Sequence, residues 1–227
     1  MTHRSSKLPE LEFPVCETSD VTDYEPARKT STGVGDMDLE IREEPISLLG
    51  ELADIPIAFL VERILNVSVS RGGLGGIDLR ERAVDPPYVK NYDAVKGEGP
   101  TRWPKRFHVT NWGLIAAYHD GMRVGGAVVA FKTPNLALLR DRSDVAALWD
   151  IRVQPTRRNS GIGSSLFRAV LEWARVRGCS HIKIETQNVN LPACRFYARL
   201  GCSLASIDRF AYPDLPEEAQ LIWRMDL

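Results

Sequence analysis

The stretch Val153-Gln-Pro-Thr-Arg-Arg-Asn-Ser-Gly-Ile-Gly-Ser164 carries residue types suited to holding an anion. An apolar strand pattern runs into it, and an amphipathic helix pattern follows at once. Glycines let the backbone approach a ligand and turn several N–H groups inward. A helix N-terminus adds unpaired donors and partial positive charge, and Arg157 and Arg158 add full charges. Arg158, Asn159, Ser160, Gly161, Ile162, Gly163 and Ser164 are therefore the expected cradle for a pyrophosphate. No Lys-Ser/Thr pair follows Gly163, so this is not a P-loop. Leu166 stands where the dinucleotide fingerprint needs its third glycine. A plain glycine turn between a strand and a helix fits the same residues.

Other chemistry is sparse. Cys16, Cys179, Cys194 and Cys202 form no CxxC pair, and His3, His108, His119 and His181 are scattered. No metal site is expected, and the cysteines read as reduced thiols. Cys194 has no histidine placed near it by sequence, so packing is its expected role.

The elements that must position the cradle can be read from periodicity. Residues 1–38 read as a mobile tail with one strand near Leu11–Val15, and 39–227 as a single domain. Pro45 opens a short helical pattern, Ile46–Ala53. From Phe59 the period becomes two, and Arg71-Gly-Gly-Leu-Gly-Gly76 is a hairpin turn. Residues 85–110 read as a long ordered loop or a lid, rich in proline and glycine. Trp112–Tyr118 and Arg123–Phe131 read as strands joined at Asp120-Gly121, and Val145–Val153 as a central strand. A helix stopping at Gly178, a strand Ile182–Thr186, a helix from Pro192 to Gly201 and two closing strands complete a mixed α/β (α+β) fold.

The composition fits that reading. Of the 227 residues, 44% are hydrophobic and 26% charged, which excludes a disordered or collagen-like chain. The net charge of -1 excludes a globally basic nucleic-acid binder. It conceals an acidic excess in 1–54 and a basic excess in the remainder. No apolar run reaches the ~18 residues needed to span a bilayer. With no secretory signal at the N-terminus, a cytoplasmic location is expected, without membrane or nucleic-acid partners.

A second motif narrows the chemistry. After the strand ending at Thr186 comes Gln187-Asn-Val-Asn190-Leu-Pro-Ala193-Cys-Arg-Phe-Tyr197-Ala-Arg-Leu-Gly201. Arg-x-x-Gly-x-Gly before a helix, then Asn-x-x-Ala-x-x-x-Tyr-x-x-x-Gly, resembles the GNAT superfamily of acyl-CoA N-acyltransferases over about residues 110–227. A closer resemblance, to the streptothricin (nourseothricin) acetyltransferases, rests on Glu185–Tyr197, Gly201–Asp208, Phe59-Leu-Val and Pro87-Tyr-Val-Lys-Asn-Tyr92.

The resemblance implies a mostly antiparallel sheet whose middle strands splay, flanked by helices. It implies acetyl-CoA as co-substrate, with pantetheine along the backbone of Ile151, Arg152 and Val153. Asn190 matches the position that binds the pantetheine arm. Tyr197 matches the general acid that protonates the leaving thiolate; both could also serve only as a helix cap and a core aromatic. An acceptor amine attacks the thioester directly and must first lose a proton. Asp150 and Glu185 are the candidate bases through water, or else simple ion-pair residues. A small-molecule amine is the expected acceptor, and the resemblance admits a homodimer. Streptothricin-type antibiotic resistance and a non-catalytic acyl-CoA-binding regulatory domain are the alternatives. One departure stands out: related enzymes are acidic after the Pro-Tyr-x-Lys-x-Tyr segment, whereas Lys96–His108 is basic and aromatic. That favours an acceptor bearing a carboxylate or phosphate.

Overall fold

A computed structural model describes residues 39–227. The tail expected over 1–38, and the strand expected near Leu11–Val15, lie outside the described residues. The strands are β1 (Leu39–Glu44), β2 (Phe59–Val69), β3 (Ile77–Lys90), β4 (Gly113–His119), β5 (Met122–Phe131), β6 (Val145–Val153), β7 (His181–Gln187), β8 (Ser203–Asp208) and β9 (Gln220–Asp226). The helices are α1 (Trp103–Arg106), α2 (Ile162–Val176) and α3 (Leu191–Arg199). Short 3-10 segments include Ile46–Asp54 and Tyr92–Ala94.

Seven strands form one sheet in the order β1-β4-β5-β6-β7-β9-β8, and β2 pairs β3 in a separate hairpin. Within the large sheet only β6 and β7 run parallel. The mixed, mostly antiparallel class is the one expected. Strands β4 and β5 are nearly unbroken apolar runs because both faces of the sheet are covered there. Their hairpin turns at Asp120 and Gly121, with φ of 53° and 73°, the conformation that favours an Asp-Gly pair.

Helix α2 buries Leu166, Phe167, Val170, Trp173 and Ala174 on one sheet face. Phe167 is 1% exposed, and truncating it to alanine removes about 3–5 kcal/mol. The 3-10 segment Ile46–Asp54 covers the opposite face through Leu49 and Leu52, beside Trp103 and Trp112. Its close approach needs Gly126, where a Cβ would lie 2.6 Å from Leu52 Cδ1.

Two elements differ from the sequence reading. Strand β1 was not anticipated, because Leu-Glu-Ile-Arg-Glu-Glu holds only two apolar residues. It is one of the two edge strands of the sheet, where charges are tolerated and discourage further pairing. Strand β3 runs through Pro86 and Pro87 to Lys90, where an irregular loop was expected. The β2–β3 register shifts between Val61 and Arg63, so the prolines fall where the ladder is interrupted and needs no donor.

The middle of the sheet is irregular in two linked ways. Val128 pairs with Asp150 while Val129 pairs with Leu148, leaving Trp149 as an extra residue. Such a bulge re-aims the side chains that follow it. Ala146 and Leu148 pack with α2, and beyond the bulge Ile151 and Val153 do so. Asp150 and Arg152 are thereby turned to the opposite face. The β6–β7 ladder also stops at Leu148 and Ile184, although the strands run on to Val153 and Gln187. The two strands part, and the sheet opens between them.

Candidate active site

The opening between β6 and β7 has α3 on one side and Asp150 on the other. Tyr197 on α3 is 4% exposed, its ring 6.0 Å from Phe167 and 5.2 Å from Phe196. Burial, with a further contribution from the Asp150 carboxylate, holds its hydroxyl far above the usual tyrosine range. It therefore keeps its proton at any working pH.

Asp150 is buried, and burial raises its pKa against the opposing pull of Arg152. Arg152 donates Nε to Asp150 Oδ1 at 2.8 Å and Nη2 to Oδ2 at 2.7 Å. Its guanidinium also reaches Asp93 at 2.8 and 3.2 Å and the Ile55 carbonyl at 3.1 Å. Arg152 is thus a buried clip between β6 and the segment that follows β3.

Glu185 is placed differently. It is exposed on β7, where it accepts from the Tyr212 hydroxyl at 2.7 Å and from Gln220 Nε2 at 2.9 Å. Tyr212 in turn accepts from Gln187 Nε2 at 2.8 Å. Glu185 and Asp150 stand on separate arms of the opening, and neither is among the other's polar partners.

The glycine loop leads directly into α2. Asn159 and Gly161 adopt φ of 64° and 91°, and Gly161 precedes the first turn of α2. That end has no side-chain cap and no acid in its first turn. The N–H groups that begin an α-helix have no partner within it, so those of Ile162, Gly163 and Ser164 are available to a ligand. Asn190 is the N-cap of α3, its Oδ1 accepting from Ala193 N at 3.2 Å. Arg158 has a further, structural part. Its nitrogens donate to the carbonyls of Val153, Ala58 and Pro56 at 3.2, 3.1 and 2.9 Å. The side chain staples the entry to β2 onto the end of β6.

Comparison with known proteins places this geometry. Residues 79–202 match the model of the acetyltransferase (GNAT) family. The chain belongs to the GNAT family of acetyltransferases. It is 37% identical over 180 residues to a streptothricin acetyltransferase of Escherichia coli, covering 77% of this chain and 89% of that protein. The crystal structure of a nourseothricin acetyltransferase superposes with a TM-score of 0.64 at 25% identity, covering 83% of this chain and 98% of that one. A structure from Bacillus anthracis str. Ames, assigned as a streptothricin acetyltransferase and in complex with acetyl coenzyme A, superposes equally, with a TM-score of 0.64, 25% identity and coverage of 84% and 98%.

This GNAT chain is accordingly an acetyl-CoA-dependent acetyltransferase. The parted strand edge and the uncapped α2 terminus suit an extended co-substrate that carries a diphosphate beyond its pantetheine arm. Among the described residues no group of three His, Cys, Asp or Glu could hold a metal, and no helix is long and apolar enough to cross a membrane.

Three residues near the opening were not singled out from sequence. Asp93 follows the quoted Pro87–Tyr92 segment directly, but its ion pair joins residues 59 positions apart. Tyr212 lies in a loop without periodic signal. Tyr92 was quoted but given no role. Its hydroxyl is buried beside Asn190 yet completes no hydrogen bond of normal geometry, and burial together with Glu218 raises its pKa.

Proposed function

We propose that this enzyme moves an acetyl group from acetyl-CoA to a primary amine of a small molecule, by direct attack within a ternary complex. The observation that carries the reading is the parting of β6 and β7 between Tyr197 and Asp150. One face of the opening supplies a proton donor and the other a carboxylate raised toward a useful basicity.

In this reading the backbone of Ile151, Arg152 and Val153 pairs with the pantetheine amides as an added strand. The loop of Asn159, Ser160 and Gly161, with the first α2 N–H groups of Ile162, Gly163 and Ser164, takes the diphosphate. Asn190 caps α3 and faces the pantetheine arm. Arg158 also fixes the end of β6. Asp150 accepts the amine proton through water, and Tyr197 donates to the leaving sulfur. Glu185 is a weaker candidate base, because it is exposed and held by Tyr212 and Gln220. Acetyl-CoA supplies the activated acyl group; the protein supplies position and a fixed polar environment.

The test is a screen of amines with acetyl-CoA, read as thiol release. Thiol should form only when an acceptor is present, and double-reciprocal plots should intersect. Parallel lines, or thiol release independent of amine, would sink the reading. A second reading takes streptothricin as the acceptor, favoured by the 37% identity to the E. coli protein. A low KM for streptothricin in the same screen, with other amines ignored, would select it.

A further inference from the structure

Residues 91–112 fold over the face of the sheet that carries Asp150. Trp103 meets Trp149 edge-on with ring centroids 6.3 Å apart, and Phe107 lies 5.1 Å from the same indole. Asp93 fastens the start of the segment to Arg152. The inner side of this lid is thus aromatic and anchored to the bulged strand.

The outer side is cationic and carries a shallow, open depression. Ala94, Lys96, Gly97, Arg102, Lys105 and Arg106 line a cleft of ≈ 550 Å³. The carboxylate of Glu98, within the same segment, is engaged by Arg106 and by Trp103 Nε1. Lys96, Arg102 and Lys105 are left without an ion pair among the described residues. Both guanidiniums are oriented through Nη1, that of Arg102 by the Val95 and Glu98 carbonyls and that of Arg106 by the Gly97 carbonyl. Their other nitrogens keep donors for a ligand. Like charges gathered around a concavity repel one another, and the same arrangement focuses a field that attracts an anion. Planar guanidinium forks beside ammonium groups match carboxylate and phosphate oxygens.

We propose that the lid cleft is an anion subsite for the acceptor, taking the phosphate or carboxylate of an amine whose chain runs past the lid toward the opening between β6 and β7. The proposal rests on the acetyl-transfer reading above. Acceptor and not co-substrate is the assignment because the lid and Asp150 share one sheet face. The uncapped α2 terminus belongs to the helix on the other.

The experiment compares ω-aminoalkyl phosphates of increasing chain length with the matching amino alcohols, in the wild type and in Lys96→Glu/Lys105→Glu. The expected result is a kcat/KM at least tenfold higher for the best phosphate than for its alcohol. The double variant should reduce that ratio at least tenfold while melting as the wild type does. Equal kcat/KM for each matched pair, or a ratio unmoved by charge reversal, overturns the proposal. Acetyl-dephospho-CoA separates the two sources of phosphate. If the penalty for omitting the co-substrate's 3′-phosphate disappears in the double variant, the cleft serves acetyl-CoA and the acceptor assignment fails. If no amine is acetylated, the acetyl-transfer reading fails by itself. The cleft is then judged by calorimetry with the aminoalkyl phosphate alone, where absence of binding to the wild type overturns it.

Discussion

Arg152 holds Asp150 by two parallel hydrogen bonds, of 2.8 and 2.7 Å, inside the protein. The arginine side chain is 0% exposed and that of Asp150 4%. A bidentate pair of this kind offsets the cost of desolvating both charges only while both partners are present. The same guanidinium reaches Asp93, so the strand at the opening and the lid above it share one buried cation.

Replacing Arg152 by methionine leaves Asp150 buried without its partner. Such a loss costs about 3–5 kcal/mol, read as a lower urea midpoint. Asp150→Asn/Arg152→Met should be less destabilised than Arg152→Met, because the buried Asp150 charge is gone and only the partly exposed Asp93 loses its partner. A double variant as unstable as the single would show that packing, and not charge, sets the effect.

Asp150 works as a base only when ionised, and burial raises its pKa. The acid limb of kcat/KM against pH should therefore lie above the ordinary carboxylate range, with activity rising as pH rises through it. Asp150→Asn should abolish that limb and lower kcat by roughly 10²–10⁴-fold. Glu185→Gln should retain it. A limb lost in Glu185→Gln and kept in Asp150→Asn would exchange their roles.

Much of this arrangement was legible in the sequence, and the limits have physical causes. Strands β4 to β6 announce themselves as apolar runs, and α2 as a stripe ending at Gly178. The loop at Gly161 and the motif from Asn190 to Tyr197 are local, so their spacing survives in one dimension. Strand β1 was hidden because an edge strand needs few apolar residues. The Asp93–Arg152 pair and the staple from Arg158 to Pro56 and Ala58 join distant segments, which no local pattern reports. Arg158 shows what a local motif leaves out: its side chain also donates to the carbonyls of Val153, Ala58 and Pro56.

The first turn of α2 permits a test with two opposed signs. An acid there completes the helix dipole and stabilises by about 0.3–1 kcal/mol. It also puts a negative charge where the diphosphate is proposed to sit. Ser164→Asp should therefore melt no lower than the wild type, while its KM for acetyl-CoA rises at least tenfold. An unchanged KM would return the loop to an ordinary glycine turn.

The thiols offer a check on direct transfer. Burial pushes Cys194 and Cys202 up to about 11. At pH 8 the thiolate fraction is then on the order of one in a thousand, since each pH unit below the pKa is a factor of ten. Cys194 is moreover held against Thr186 Oγ1 at 3.4 Å. Iodoacetamide at pH 8 should leave turnover intact, and mass spectrometry during turnover should find no acetylated cysteine. An acetyl-Cys194 species would replace the ternary complex with a two-step route.

Tyr197→Phe removes one oxygen and keeps the ring packed on Phe167 and Phe196. Stability should stay close to that of the wild type, because no strong bond of the hydroxyl is broken. In the proposed role the hydroxyl, its pKa raised by burial, donates to the departing sulfur and does not carry the charge itself. Turnover should fall roughly 10²–10⁴-fold, with KM for acetyl-CoA unchanged, because the lost interaction forms as the C–S bond breaks. An acetyl thioester of a strongly acidic aromatic thiol needs less help to leave and should recover most of that loss. If the variant turns over normally with acetyl-CoA, Tyr197 is a core aromatic. If the acidic thioester gives no recovery, the tyrosine acts on something other than the leaving sulfur.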